Sequence, residues 1–136
     1  MTSRQRFEEL KEWIQKDDVE VEIDTSYYEL AKTQEKDRII NGSAGSDGYI
    51  ILYKDAKDNN YDTLSSLLIH EYGHVVEWRD RGRDRHSEKQ AWETGIKTVP
   101  SSFWPSTLKE DCKICLTSYN YKRFNWLDRI LKTEKI

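Results

Sequence analysis

One stretch of the chain, residues 64–78 (LSSLLIHEYGHVVEW), decides the fold. Its apolar residues recur at helical spacing on both sides of a polar centre, which predicts a helix. Asp62 or Thr63 supplies a suitable N-cap, and we expect the helix to run from Leu64 to about Arg79. The polar centre, HEYGH at residues 70–74, therefore lies in the middle of this helix.

Upstream of this helix, residues 49–53 (YIILY) favour a strand. Residues 55–60 form a polar turn between the two. Farther upstream, apolar residues at helical spacing predict a first helix over residues 4–16, and alternation predicts a strand over 19–23. Residues 26–36 fit either a strand or a short helix, residues 38–40 resemble a strand end, and residues 41–48 form a turn-rich loop.

Downstream, Ser87 and Gln90 have the spacing of a capping box, which predicts a helix to about Lys97. Two more helices are expected over residues 106–119 and 122–132. The prediction is an α+β fold: a small twisted sheet of three or four strands, the two central helices, and a helical C-terminal third. With 136 residues and no visible linker, residues 1–136 are expected to form a single domain.

Composition excludes several classes of function. The formal net charge of −3 gives no global signature for nucleic acid or an anionic membrane. The basic stretch at residues 79–85 contains two aspartates, so we interpret it as a solvated loop. No window has the length and apolarity of a membrane span, and residues 1–9 lack the apolar core of a signal peptide. We therefore expect a cytoplasmic monomer. Cys112 and Cys115, the only cysteines, agree with a reducing compartment.

The two histidines of the central stretch have the spacing of metal ligands. A helix advances about 100° per residue, so His70 and His74, at i and i+4, can direct their imidazoles at one ion. Glu71 lies beside them, where it can take a proton from a water bound to that ion. Zinc lowers the pKa of such a water to about 7, which makes it a nucleophile toward a carbonyl. The pattern thus indicates Zn²⁺-dependent hydrolysis with Glu71 as the catalytic base.

A catalytic zinc needs a third protein ligand. The metzincin continuation is not present, because Glu77 and Asp80 stand where a glycine and a histidine are required. Glu88 and His86 remain as candidates. We favour Glu88, since a His₂Glu set is typical of peptide hydrolysis and Ala91 would allow the helix that follows to pack closely.

The combination of HEYGH with Glu88, Ala91 and Trp92 resembles the compact gluzincins, in particular small metallopeptidases of the ImmA/IrrE type. The resemblance covers residues 49–97. It implies that Glu88 is the third metal ligand and that residues 49–53 form the edge strand on which an extended peptide substrate pairs. It also implies a protein of a phage or mobile element.

The chain departs from that pattern at Trp92, where many relatives carry Asn or Asp as support for a ligand histidine. That support must therefore come from elsewhere. SprT-like proteins are the rival resemblance, in which a histidine such as His86 completes the site. Tyr119 and Tyr121 are candidates for stabilising the oxyanion by residue type alone.

The cysteines and one tryptophan lie outside this motif. Cys112 and Cys115 have no second pair to complete a zinc ribbon, so we interpret them as core residues. Trp104 lies in a loop beside Pro105, where it could line or fill a cleft.

The sequence therefore predicts a zinc-dependent endopeptidase acting on a protein or peptide, with His70, His74 and Glu88 as ligands and Glu71 as base. The alternative is a non-enzymatic or latent zinc-binding module.

Overall fold

The computed structural model describes residues 1–25, 42–54, 59–82 and 86–133. Their secondary structure comprises five α-helices, one short 3-10 helix and three strands. The helices are α1 (Ser3–Gln15), α2 (Tyr61–Arg81), α3 (Glu88–Thr98), α4 (Leu108–Ser118) and α5 (Asn125–Thr133), and the 3-10 helix is Ser101–Phe103. The strands are β1 (Glu20–Asp24), β2 (Gly42–Ala44) and β3 (Tyr49–Tyr53).

The three strands form one mixed sheet in the order β1-β3-β2. β1 runs parallel to β3, and β2 runs antiparallel to it. Ile50 and Leu52 of β3 are fully buried while their neighbours along the strand are half-buried, so one face of the sheet covers the core. The α+β prediction is confirmed: a small sheet packs against a mostly helical chain.

The position of β3 corrects one expectation. Residues 49–53 do not form an edge strand, because β3 has a hydrogen-bonded partner on each side. Of the described strands, β2 lies at the edge on the side that contacts α2. The turn-rich loop expected over residues 41–48 contains this strand. Gly42, Ser43 and Ala44 are poor strand formers, so their pairing with β3 reflects tertiary context rather than local propensity.

The core lies between the sheet, α1 and the central pair α2 and α3. Its largest fully buried side chains come from nearly every element: Trp92, Phe7, Leu10, Ile14, Ile50, Leu52, Leu68, Ile69, Ile96, Leu116, Leu127 and Val75. Cys112 is also fully buried, which confirms that it is a core residue. None of the helices in the described segments has the length and apolarity needed to cross a membrane.

The start of α3 agrees with the prediction, whereas the start of α2 does not. Ser87 caps α3 as expected: its hydroxyl accepts from the Gln90 N–H, and the Gln90 side chain accepts from the Ser87 N–H. α2 begins earlier than predicted, at Tyr61, with Asn60 rather than Asp62 or Thr63 as its N-cap. The Tyr61 ring packs 5.7 Å from that of Phe7 in α1, a tertiary contact that extends the first turn.

The C-terminal end of α2 is anchored to the turn after α1. Arg79 donates to the backbone oxygens of Asp17 and Asp18 and to the Asp17 carboxylate, and Tyr72 donates to the same carboxylate at 2.6 Å. Arg79 and Arg81 are therefore helical, which corrects the loop interpretation for that part of the basic stretch. The predictions for residues 26–41, 55–58 and 83–85 lie outside the described residues.

Candidate metal centre

α2 places the two histidines one turn apart on the same face. Their ring centroids are 4.7 Å apart. His70 is buried and His74 is half-buried. One ring nitrogen of each histidine and one carboxylate oxygen of Glu71 could bind a metal, and these three atoms lie within 4.8 Å of one another. This geometry brings together the residues that the HEYGH pattern singled out.

The first turn of α3 brings a second carboxylate to the same point. Glu88 Oε2 lies 2.7 Å from His70 Nε2 and 3.0 Å from His74 Nε2. In a tetrahedral site with bonds of about 2.0–2.1 Å, neighbouring ligand atoms lie roughly 3.3 Å apart. Glu88 Oε2 thus approaches one nitrogen of each histidine at a distance close to that between neighbouring zinc ligands.

Glu71 and Glu88 are both candidates for the third metal ligand, but they contact different nitrogens of the histidines. Glu88 Oε2 faces the Nε2 atoms of both histidines. Glu71 Oε1 instead approaches the Nδ1 of His70, at 3.4 Å. Glu88 thus bridges the Nε2 atoms of the two histidines, whereas Glu71 contacts the other ring nitrogen of His70.

The protonation of the two carboxyls differs accordingly. Burial raises the pKa of Glu71 above its ordinary value, and the neighbouring histidines only partly oppose this. Burial also acts to raise the pKa of Glu88, but its hydrogen bonds with His70 and His74 reverse the effect and hold the pKa far below the ordinary value. Glu88 is therefore a stable anion suited to a cation, while Glu71 is a better proton acceptor than an ordinary carboxylate.

The close approach of α2 and α3 depends on residues without bulky side chains. A Cβ on Gly73 would lie 1.8 Å from the carbonyl oxygen of Ala91, and one on Gly95 would lie 2.2 Å from that of Ile69. α3 packs closely on α2 at Ala91, as the sequence analysis expected, and Gly73 permits this contact from the side of α2. This contact sets the distance between the histidines and Glu88.

One family model matches residues 1–89, nearly two thirds of the chain, and its description is "Predicted Zn-dependent protease (DUF2268)". The chain belongs to this family. The matched region ends just after Glu88, so it contains all the residues that converge at the centre. No curated protein and no solved structure matches the chain.

In this member of the family of predicted Zn-dependent proteases, a tryptophan stacks on each histidine. The Trp92 ring lies 4.6 Å from His70 at an interplanar angle of 6°, and that of Trp78 lies 5.5 Å from His74 at 25°. Trp92 is fully buried. It supports His70 by face-to-face packing. The sequence indicated that Trp92 was unusual but did not indicate this contact.

His86 lies at the centre but on a different side of His74. Its Nε2 is 2.7 Å from His74 Nδ1, whereas Glu88 contacts His74 Nε2. Burial lowers the pKa of His74, yet the hydrogen bond with Glu88 and the charges of Glu71 and Glu88 more than offset it, so its pKa is raised. Burial and the neighbouring His74 lower the pKa of His86.

β2 covers the side of the centre occupied by Glu71. A Cβ on Gly42 would lie 3.3 Å from Glu71 Cγ, so the backbone of this edge strand packs directly against the glutamate. Sequence reasoning missed this contact, although the glycine in a turn-rich stretch was a usable signal for a close backbone approach.

The remaining candidates have other positions. Tyr119 is the C-cap of α4 and is 38% exposed. Tyr121 packs partly against the core. Neither observation tests a role in stabilising an oxyanion, which stays a prediction. Trp104 is half-buried against the core and donates its indole N–H to the Val99 carbonyl at 3.1 Å, an arrangement that favours a packing role.

Proposed function

We propose that the chain is a zinc-dependent endopeptidase in which His70, His74 and Glu88 hold the metal and Glu71 is the catalytic base. The observation that carries the proposal is the contact of one Glu88 oxygen with the Nε2 atoms of both histidines. The family description supports zinc-dependent proteolysis in general terms. The proposal adds the ligand set and the role of each residue.

Glu71 performs the proton transfers of the reaction. Zinc, when bound, lowers the pKa of a coordinated water and polarises the substrate carbonyl. Glu71 accepts the proton of the water that attacks the carbonyl carbon, and its raised pKa suits that role. It then gives the proton to the amine nitrogen as the peptide bond breaks. Because Glu71 is buried, few water molecules compete for this proton.

The substrate is proposed to be a peptide in extended conformation that pairs with β2. β2 lies at the edge of the described sheet and packs against α2 beside Glu71. Strand addition supplies backbone hydrogen bonds that do not depend on substrate sequence, and it would deliver a peptide carbonyl to the centre. This role replaces the one that the resemblance assigned to residues 49–53.

Several expectations accompany the proposal. Relationship to the ImmA/IrrE-type gluzincins, an origin in a phage or mobile element, a cytoplasmic location and a monomeric state are proposed on the resemblance and composition. Residues 1–136 are proposed to act as a single catalytic domain.

Glu71→Gln tests the assignment. The zinc-loaded wild type and variant are incubated with a peptide library prepared from a proteome, and new amino termini are counted by mass spectrometry. We expect cleavage by the variant to fall by about 10²–10⁴-fold, because the amide cannot accept the proton. Zinc content should stay at the wild-type level, because Glu71 is not a ligand.

Glu93→Gln is the matched control. Glu93 lies on α3 and pairs with Lys97 on the surface, so its loss should leave cleavage unchanged. Equal cleavage by the wild type and Glu71→Gln would contradict the catalytic assignment. A zinc-loaded wild type that cleaves no peptide in the library would favour the alternative of a non-enzymatic or latent module.

A further inference from the structure

We propose that His86 is a positioning residue that holds the ring of His74 for metal binding through Nδ1. The inference rests on the proposed function, since it assumes that a metal binds at His74 Nε2. His86 lies outside that coordination geometry because a ring nitrogen bonded to His74 Nδ1 is directed away from an ion bound at Nε2.

The capping box of α3 creates this arrangement. Ser87 is fixed at the start of the helix by its reciprocal hydrogen bonds with Gln90. His86 and Glu88 lie on either side of Ser87 in the chain and contact opposite nitrogens of the same imidazole, at 2.7 and 3.0 Å. Residues 86–88 thus supply both Glu88, the proposed ligand that shares the ion with His74, and His86, the group that orients the His74 ring.

The Trp78 ring packs against both histidines of this pair. The Trp78 ring lies edge-on to His86 at 5.4 Å and packs against the face of His74 at 5.5 Å. Packing of Trp78 on the face of His74 opposes rotation of that ring, and the hydrogen bond with His86 selects its orientation.

The proton positions explain why a histidine suits this place. A metal at His74 Nε2 requires the proton of that ring to be on Nδ1, where it donates to His86 Nε2. Without a metal, His74 Nε2–H can donate to Glu88, and His86 Nε2–H can donate to His74 Nδ1. The Nε2 atom of His86 must therefore accept a hydrogen bond when a metal is bound and donate one when no metal is bound. A neutral imidazole can do both by changing its tautomer.

The test compares His86→Leu with His86→Gln, using the full chain without substrate. Zinc dissociation constants are measured by competition with a chromophoric chelator. Loss of an outer hydrogen-bond partner costs about 10–100-fold in metal affinity, so we expect a loss of that size for His86→Leu. The Gln side chain can accept or donate, so His86→Gln should retain an affinity within about threefold of the wild type.

A second readout separates positioning from ligation. Cobalt(II) reports the coordination number of its site through the intensity of its visible absorption bands. We expect the band intensity at full occupancy to be the same in the wild type and both variants. Unfolding of the metal-free variants in urea checks that the chain remains folded.

Three results would overturn the inference. Wild-type zinc affinity in His86→Leu would show that the contact has no role in metal binding. Equal losses in the Leu and Gln variants would show that hydrogen bonding is not the cause. A change in cobalt coordination in His86→Leu would identify His86 as a ligand. Because no substrate is present, a failure of peptidase activity would contradict the proposed function alone.

Discussion

Replacing Gly73 by alanine tests how the crossing of α2 and α3 builds the centre. A Cβ at this position would lie 1.8 Å from the Ala91 carbonyl oxygen and 2.8 Å from its carbon. Cβ atoms in proteins essentially never lie closer than 3.0 Å to a non-bonded heavy atom. The helices must therefore separate by about 1.2 Å, the difference between 3.0 and 1.8 Å. The obstacle is backbone, which cannot rotate away as a side chain can.

Two opposing effects determine the stability of Gly73→Ala. Alanine favours a helix over glycine by about 1 kcal/mol, which alone would stabilise the protein. Overpacking in a close-packed contact costs about 1–3 kcal/mol, and a clash with backbone lies at the upper end of that range. We therefore expect a net loss of about 1–2 kcal/mol in the free energy of unfolding, since overpacking exceeds the gain in propensity.

The same displacement affects the metal. Ala91 is one turn after Glu88, so a shift of α3 at Ala91 also moves the Glu88 carboxylate away from His70 and His74. Zinc sites tolerate deviations of only about 0.2 Å in ligand distance. Gly73→Ala should therefore bind zinc more weakly than the wild type, even in the fraction of molecules that remains folded.

The assay for Gly73→Ala is urea unfolding of the metal-free protein by circular dichroism, followed by zinc competition. Thr117→Ala is the control, because Thr117 is exposed on α4 and its replacement changes helix propensity without a new contact. A Gly73→Ala variant at least as stable as the wild type, with unchanged zinc affinity, would refute the proposed crossing.

Three other substitutions probe the centre from different sides. Trp92→Ala removes the ring stacked on His70 and leaves a cavity, so urea unfolding should show a loss of about 3–5 kcal/mol; a loss below about 1 kcal/mol would contradict the observed burial. Glu88→Gln should weaken zinc binding in a chelator competition by more than the ~10–100-fold expected for outer contacts, and an unchanged constant would exclude it as a ligand. Gly42→Ala places a methyl group against Glu71, the proposed base, so the cleavage rate should fall by about tenfold while the zinc affinity stays constant. Equal rates for Gly42→Ala and wild type would show that β2 does not constrain the base.

The parts of the centre that are local in sequence were predictable. The spacing of His70 and His74 follows from helix geometry, and the Ser87 capping box predicted that α3 starts near Ser87, which is its N-cap. Because Glu88 follows that cap directly, its place at the start of a helix could be predicted. The sequence alone could not establish the contact of Glu88 with both histidines, because this contact depends on how the two helices cross.

The parts that depend on tertiary contacts were not predictable. β2 contains only Gly42, Ser43 and Ala44, whose types oppose a strand, and it exists because β3 offers a partner. The resemblance implied that β3 is an edge strand, and the sequence could not correct this, because a run of apolar residues carries no information about the neighbours of a strand. The contact of His86 with His74 Nδ1 was also missed, because residue type alone cannot show which ring nitrogen faces which partner.

The central claim is a His₂Glu zinc site with one position available to water, and X-ray absorption at the zinc edge of the loaded wild type tests it most directly. We expect scattering from two imidazoles, one carboxylate and one further oxygen. Three imidazoles would assign His86 as a ligand in place of Glu88, and four protein ligands would indicate a closed structural site. Either result would contradict the proposed centre.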